Sequence, residues 1–98
     1  MREYEVTIII QPQLEEDERK ELIERVSELL APGAKDEEKP TVNEWGMRRL
    51  AYPIQKNSEG YYVLYEGVLD GSRIPDIERS MQYIEDIVRY LIVRKESK

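Results

Sequence analysis

Hydrophobic positions along this chain change period four times. From Arg2 to Pro12 they alternate: Tyr4, Val6, Ile8 and Ile10 fall on one side, Glu3, Glu5, Thr7 and Ile9 on the other. Period two with β-branched residues predicts a strand, and Ile9 makes its second face partly apolar, as suits a central strand. Pro12 cannot donate to a ladder and ends it. From residue 15 to residue 31 the spacing lengthens, with Leu22, Ile23, Val26, Leu29 and Leu30 forming one stripe of an amphipathic helix. Glu15–Arg19, Glu16–Lys20 and Glu21–Arg25 are i,i+4 pairs in the favourable order, and the acids at 15–18 sit at the positive end of the helix dipole. Pro32-Gly33 stops this helix.

Residues 34–40 have no periodicity and read as a solvated loop. Thr41 to about Ile54 predicts a strand of mixed quality, with Gly46 a bulge or twist point and Pro53 at its close. "KNSEG", residues 56–60, has turn composition, and alternation then returns. Tyr61, Val63, Tyr65, Gly67 and Leu69 lie against Tyr62, Leu64, Glu66 and Val68, which makes the pair of strands a hairpin. "DGSRIPDIERSMQYIED" predicts the second helix, with Asp70 to Ser72 supplying the turn and candidate N-cap. Ile74, Ile77, Met81 and Ile84 are its buried stripe. "IVRYLIVRK" is the last strand, with Leu91 and Val93 on one face and Tyr90 and Ile92 on the other.

The order is β-α-β-β-α-β. Two right-handed crossovers put both helices on one face of a four-stranded antiparallel sheet, with strands one and three central: the α+β, ferredoxin-like sandwich. Ninety-eight residues make one such domain, spanning 1–98. The other sheet face is left without a helix. An uncovered antiparallel face is normally polar, yet Tyr62, Leu64, Val68, Ile92 and Trp45 are assigned to it. Scattered exposed apolar groups are ordinary, whereas a contiguous patch marks an interface. Gly67 falls at a helix-facing position where an apolar side chain is expected, so a bulge or gap is expected there.

Composition narrows the function. There is no cysteine and no histidine, which excludes disulfides, thiolate chemistry and the commonest general base and transition-metal ligand. The serines have no histidine to activate them and no glycine-rich phosphate loop is present, so the chain reads as a non-enzyme with no cofactor and no metal. The carboxylates of the first helix read as a solvated face. No apolar run approaches a membrane span and the N-terminus lacks the shape of a signal peptide, which together point to a cytosolic protein.

Charge pulls in two directions. Twenty-one acids against 15 bases give a formal net charge of −6, which argues against non-specific binding to phosphate. Yet Met47 to Ser58 contains no acid and holds Arg48, Arg49 and Lys56. On a regular strand Arg48 and Arg49 point to opposite sides. Scattered solubilising charge is one reading of them, and phosphate contact is the other. "GYYVLY", residues 60–65, compares with the third strand of an RNA-recognition motif, but the small residue between the aromatics is missing and Glu59 stands where a base is expected. That one-residue difference flips the later positions to the wrong face.

Taken with "MREYE" at the start and "GYYVLY" after it, "GMRRLAYPIQK" (46–56) resembles the signature of the bacterial small-subunit ribosomal protein six family. The match comprises Gly46, a base at 48, Leu50-Ala51-Tyr52-Pro53-Ile54 and Lys56, set in the same β-α-β-β-α-β order. The resemblance implies a structural protein of the small ribosomal subunit, located in the cytoplasm on the ribosome. It implies pairing with small-subunit ribosomal protein eighteen as a heterodimer and binding to the central, platform-forming domain of small-subunit ribosomal RNA. Carried over by position, Arg2, Arg48, Arg49 and Lys56 are the RNA-side candidates. Tyr62, Leu64 and Ile92 are assigned to the protein partner by structural inference rather than by motif. Residues 33–44 are longer and more charged than is typical of the family, and the closing "KESK" lacks a long acidic tail. The alternative is a ferredoxin-like regulatory or oligomerisation module that binds a small ligand or its own copy. An acylphosphatase-like enzyme fails, because the first loop, "QPQLEED", is acidic and proline-broken.

Overall fold

The computed structural model describes residues 2–95, with Asp36 described by its backbone only. The chain runs β1 (Arg2–Ile10), α1 (Glu16–Leu30), β2 (Thr41–Ile54), β3 (Asn57–Leu69), α2 (Ile74–Gln82) and β4 (Ile87–Arg94). The sheet order is β2-β3-β1-β4 with every neighbour antiparallel, so strands one and three are central. Residues 96–98, including most of the closing stretch read above as lacking an acidic tail, lie outside the described residues.

Alternation places the core. Val6, Ile8 and Ile10 of β1 and Val63, Tyr65 and Leu69 of β3 are buried on the helix side. Leu22, Ile23, Val26 and Leu30 of α1 and Ile77 and Met81 of α2 cover them. Directly opposed residues share a face, and Val6↔Tyr65 and Ile8↔Val63 are such pairs. Tyr65 reaches through this layer: its hydroxyl donates to the Ile23 carbonyl at 2.8 Å and ties the central strand to α1. Arg73 donates to the Leu29 and Leu30 carbonyls at 3.3 and 3.5 Å, placing a cation at the negative end of α1. The second helix is shorter than its apolar stripe predicts. A 3-10 turn over Gly71–Arg73, opened by Asp70 accepting from the Ser72 backbone, precedes it, and Ile84 packs from the turn beyond it.

The expected gap at Gly67 is filled without a bulge. Gly67 pairs in regular register with Tyr4, and a side chain there would meet buried Pro40, whose Cα lies 3.0 Å from the Cβ position. Pro40 thus supplies from the loop the apolar volume that β3 omits, and it seats the start of β2. The charged stretch before it forms a single 3-10 turn, Asp36–Glu38.

The β2–β3 hairpin is also tighter than its composition suggests. Its loop is two residues, Gln55 and Lys56, both at positive φ (50° and 69°), the arrangement of a type I′ turn. Asn-Gly is the usual choice there. Gln and Lys carry Cβ atoms into a region that disfavours them, which is why the sequence points to a turn a few residues later. Below the turn β2 bows outward. Arg49 pairs with Glu59 and Ile54 with Asn57, so residues 50–53 stand against Ser58 alone. Leu50 folds back onto the open sheet face beside Ile9, and Gly60 lies beneath both. A methyl at Gly60 would collide with the Ile9 side chain. Gly60→Ala is therefore expected to cost about 1–3 kcal/mol through overpacking, measurable by urea denaturation.

Candidate nucleic-acid interface

Register fixes what each strand shows on the helix-free face. Four rungs cross it. The first carries Val68, Glu3 and Lys95, and the next Thr41, Glu66, Glu5 and Val93. A third carries Asn43, Leu64, Thr7 and Leu91, and the fourth Gly46, Tyr62, Ile9 and Arg89. Arg48, opposite Gly60, lies beyond the fourth at the hairpin end. Charge is sorted along these rungs: acids at the end far from the hairpin, apolar groups in the middle, arginines at the hairpin.

The assignment of Ile92 to this face is corrected. Ile92 pairs with Val6 and packs against the helix-covered core, while Leu91 and Val93 are the residues exposed on the open face. The cause is a bulge. Ile9 pairs with Arg89 but Ile10 with Ile87, so Val88 is an extra residue in β4. Counting by twos from buried Ile87 puts Ile92 outside, and the inserted residue reverses every position after it. Tyr62 and Leu64 do lie on the open face, both half-buried.

Gly46 is a bulge as expected. The ladder skips Trp45 between Glu44↔Val63 and Gly46↔Tyr62, and Gly46 takes φ of 86°. The kink turns Trp45 toward Arg48, whose guanidinium carbon lies 5.5 Å from the ring centroid. Trp45 is half-exposed. Arg49 points to the other side, opposite Glu59. Lys56 sits at the hairpin tip. These three cations are thus brought together at one end, on different sides of one ribbon. Arg2 is not brought to them. It begins β1 opposite Leu69, about 26 Å along the strand from Ile10 by residue count.

Arg89 stands among the cations of the sequence, but no motif around it in its strand-like run singles it out. The structure places it in the rung of Ile9 and Tyr62. Across the bowed segment it donates to the Tyr52 hydroxyl at 2.6 Å, its guanidinium carbon 5.7 Å from that ring's centre. Among the described residues, no carboxylate forms an ion pair with Arg48, Arg49, Lys56 or Arg89. At the far end Lys95 pairs with Glu66 at 3.0 Å, and Glu66 holds the Lys95 ammonium above its usual range. On the helix side Tyr61 donates to Glu44 at 2.7 Å and carries Arg19 over its ring at 4.0 Å. The bond to Glu44 raises the Tyr61 phenol, and the Arg19–Tyr61 contact joins α1 to β3.

The chain is thus an α+β, ferredoxin-like sandwich with one open, charge-sorted sheet face. Comparison with known proteins narrows the class. Residues 3–94 match the family model for ribosomal protein S6. The chain is 43% identical over 98 residues to small ribosomal subunit protein bS6 of Caldanaerobacter subterraneus subsp. tengcongensis, covering 96% of this chain and 97% of that one. It is 36% identical over 96 residues to the bS6 of Fusobacterium nucleatum, covering 98% and 100% respectively. The crystal structure of 30S ribosomal protein S6 from Thermotoga maritima superposes with a TM-score of 0.86 at 33% identity, covering 96% of this chain and 87% of that one. The chain belongs to the ribosomal protein S6 family, a family of small-ribosomal-subunit proteins that is structural rather than catalytic.

Proposed function

We propose that this chain is a structural protein of the small ribosomal subunit that binds the platform domain of small-subunit ribosomal RNA as a heterodimer with small-subunit ribosomal protein eighteen. The observation that carries this reading is the sorting of charge along the open face. Phosphate is attracted to uncompensated cations, and Arg48 and Arg89 on the open face, with Lys56 at the tip and Arg49 on the reverse side, gather at the hairpin end without carboxylate partners. Glu3, Glu5 and Glu66 gather at the other end beside exposed Val68, Leu91 and Val93, a surface that suits a basic, partly apolar protein. Tyr62 and Leu64 lie between, within reach of the protein partner. An acidic body with a net charge of −6 can then sit on RNA, because the acids of the open face turn to the partner and those of α1 lie on the opposite, helix-covered side of the sheet. Arg2, at the distant end of β1 but on the helix side opposite Leu69, is in this proposal a separate RNA contact away from the partner's face.

The test is binding of a platform-region RNA fragment to this chain, to protein eighteen, and to their mixture, at low and moderate salt. The mixture is expected to bind at least about tenfold tighter than either alone. With about three phosphates neutralised by this chain, its share of the affinity falls about 40-fold between 50 and 200 mM salt. No gain on mixing removes the partner reading. Salt-independent association of the chain with itself, without RNA, favours an oligomerisation module.

A further inference from the structure

Two arginine–aromatic pairs stand on the open face at the hairpin end, and the reading so far uses only their charge. Arg89 holds one side of Tyr52 by its hydrogen bond and its position over the ring. Arg48 holds one side of Trp45. Yet Tyr52 and Trp45 remain 56% and 50% exposed, so each ring keeps a face open to solvent. Leu50 and Ile9, on the same face, are buried. Through the bow of residues 50–53, Tyr52 of edge strand β2 meets Arg89 of the opposite edge strand. A segment that gave only phosphate contact would have no need to carry an exposed aromatic ring across the sheet.

We propose that Tyr52–Arg89 and Trp45–Arg48 are stacking platforms for unpaired RNA bases, with each arginine also placed to meet a flanking phosphate. Aromatic rings and guanidinium planes are the surfaces on which proteins stack splayed-out bases. A base stacks on a ring only with a free face, which bases inside a continuous duplex do not offer, so the two platforms take unpaired bases, as in a bulge or internal loop. The platform differs from that of an RNA-recognition motif, whose stacking aromatics lie on the central strands: here β2 supplies both rings. The inference rests on the RNA-binding function proposed above and specifies which form of RNA that site accepts.

Two measurements test it. Trp45 is the chain's single tryptophan, so its fluorescence reports directly on one platform. Titration with an eight-nucleotide single-stranded RNA is expected to quench it at concentrations where a duplex of the same length does not. In the platform-fragment assay with protein eighteen present, Tyr52→Leu is expected to weaken binding about tenfold, whereas Tyr52→Phe, which keeps the ring, retains most of the affinity. Thermal melts of both variants should match the parent, since the ring is exposed. Equal quenching by duplex, or equal affinity for Tyr52→Leu and Tyr52→Phe, overturns the stacking proposal. Loss of protein eighteen binding in Tyr52→Leu without RNA also overturns it, as a protein contact. Arg48→Glu separates the two levels: if it weakens RNA binding while Tyr52→Leu does not, the site is a phosphate contact only, and if it too is silent, the RNA function itself fails.

Discussion

Tyr65→Ala is expected to be the most damaging single truncation in the chain, lowering stability by about 3–5 kcal/mol in urea denaturation. Domains of this size are stable by about 5–15 kcal/mol, so the variant should populate unfolded chain measurably without denaturant. Tyr65 lies on central β3 between Val6 and Val42, is 1% exposed, and its hydroxyl holds the Ile23 carbonyl. Alanine therefore leaves a ring-sized void and cuts the tie to α1. Tyr65→Phe removes only the hydroxyl and should cost about 0.5–1.5 kcal/mol. The same phenol sets an alkaline limit. Burial, and then the negative charge of Glu44, hold its pKa above the ordinary value of 10.0. Below pH 10 the phenol is neutral in both states and its contribution is fully present. Above pH 10 the unfolded chain loses the proton first, so stability falls by about 1.4 kcal/mol per pH unit until the folded group ionises too. Tyr61, also raised, acts in the same direction. The comparison is therefore the fall in stability from pH 8 to pH 11, which should be about 1.4 kcal/mol smaller in Tyr65→Phe than in the parent. Equal falls would place the alkaline sensitivity elsewhere.

How far the sequence discloses this architecture depends on whether a residue's environment is set locally. β1, α1 and β3 were legible because each buries a periodic stripe: Val6, Ile8 and Ile10, or Val63, Tyr65 and Leu69 with only Gly67 breaking it, carry the period by themselves. β4 was legible as a strand but not as to its faces. Val88 bulges where β1 ends, and nothing in "IVRYLIVR" marks one valine as extra, so Ile92 was assigned outward when it packs inward. Gly46 was readable because glycine at positive φ signals a kink. The Gln55–Lys56 turn was not, because its geometry comes from the strands on either side and not from turn-forming residues. The site divides in the same way. Arg48, Arg49 and Lys56 were visible as a cationic run in sequence, and the hairpin does bring them together. Arg89 could be counted among the cations but not singled out as a site residue, because its place beside Tyr52 is made by four strands and a bow in β2, 37 positions away along the chain. Arg2 shows the converse: position in a family pattern groups it with the others, and the sheet puts it at the far end.

The same geometry predicts that two adjacent arginines respond differently to charge reversal. Arg48 lies on the open face opposite Gly60, in the company of Trp45, whereas Arg49 lies on the other side opposite Glu59. An RNA approaching the open face meets the first directly and the second only through its longer-range field. Arg48→Glu is expected to weaken binding of the platform fragment by about 10–100-fold, the loss of one charge-assisted contact, and to reduce the slope of log affinity against log salt by about one. Arg49→Glu should weaken it only a few-fold at low salt, and that difference should vanish at moderate salt, because screening removes field effects beyond about 10 Å. Both side chains are exposed, so stability should change by less than about 0.5 kcal/mol in either variant, with Arg49→Glu the worse because it sets a second carboxylate across from Glu59. Equal losses of RNA affinity with the fold intact would mean that the RNA wraps the hairpin on both sides. Equal losses together with reduced stability would make both arginines structural, and would leave Lys56 and Arg89 as the cations through which the open face meets phosphate.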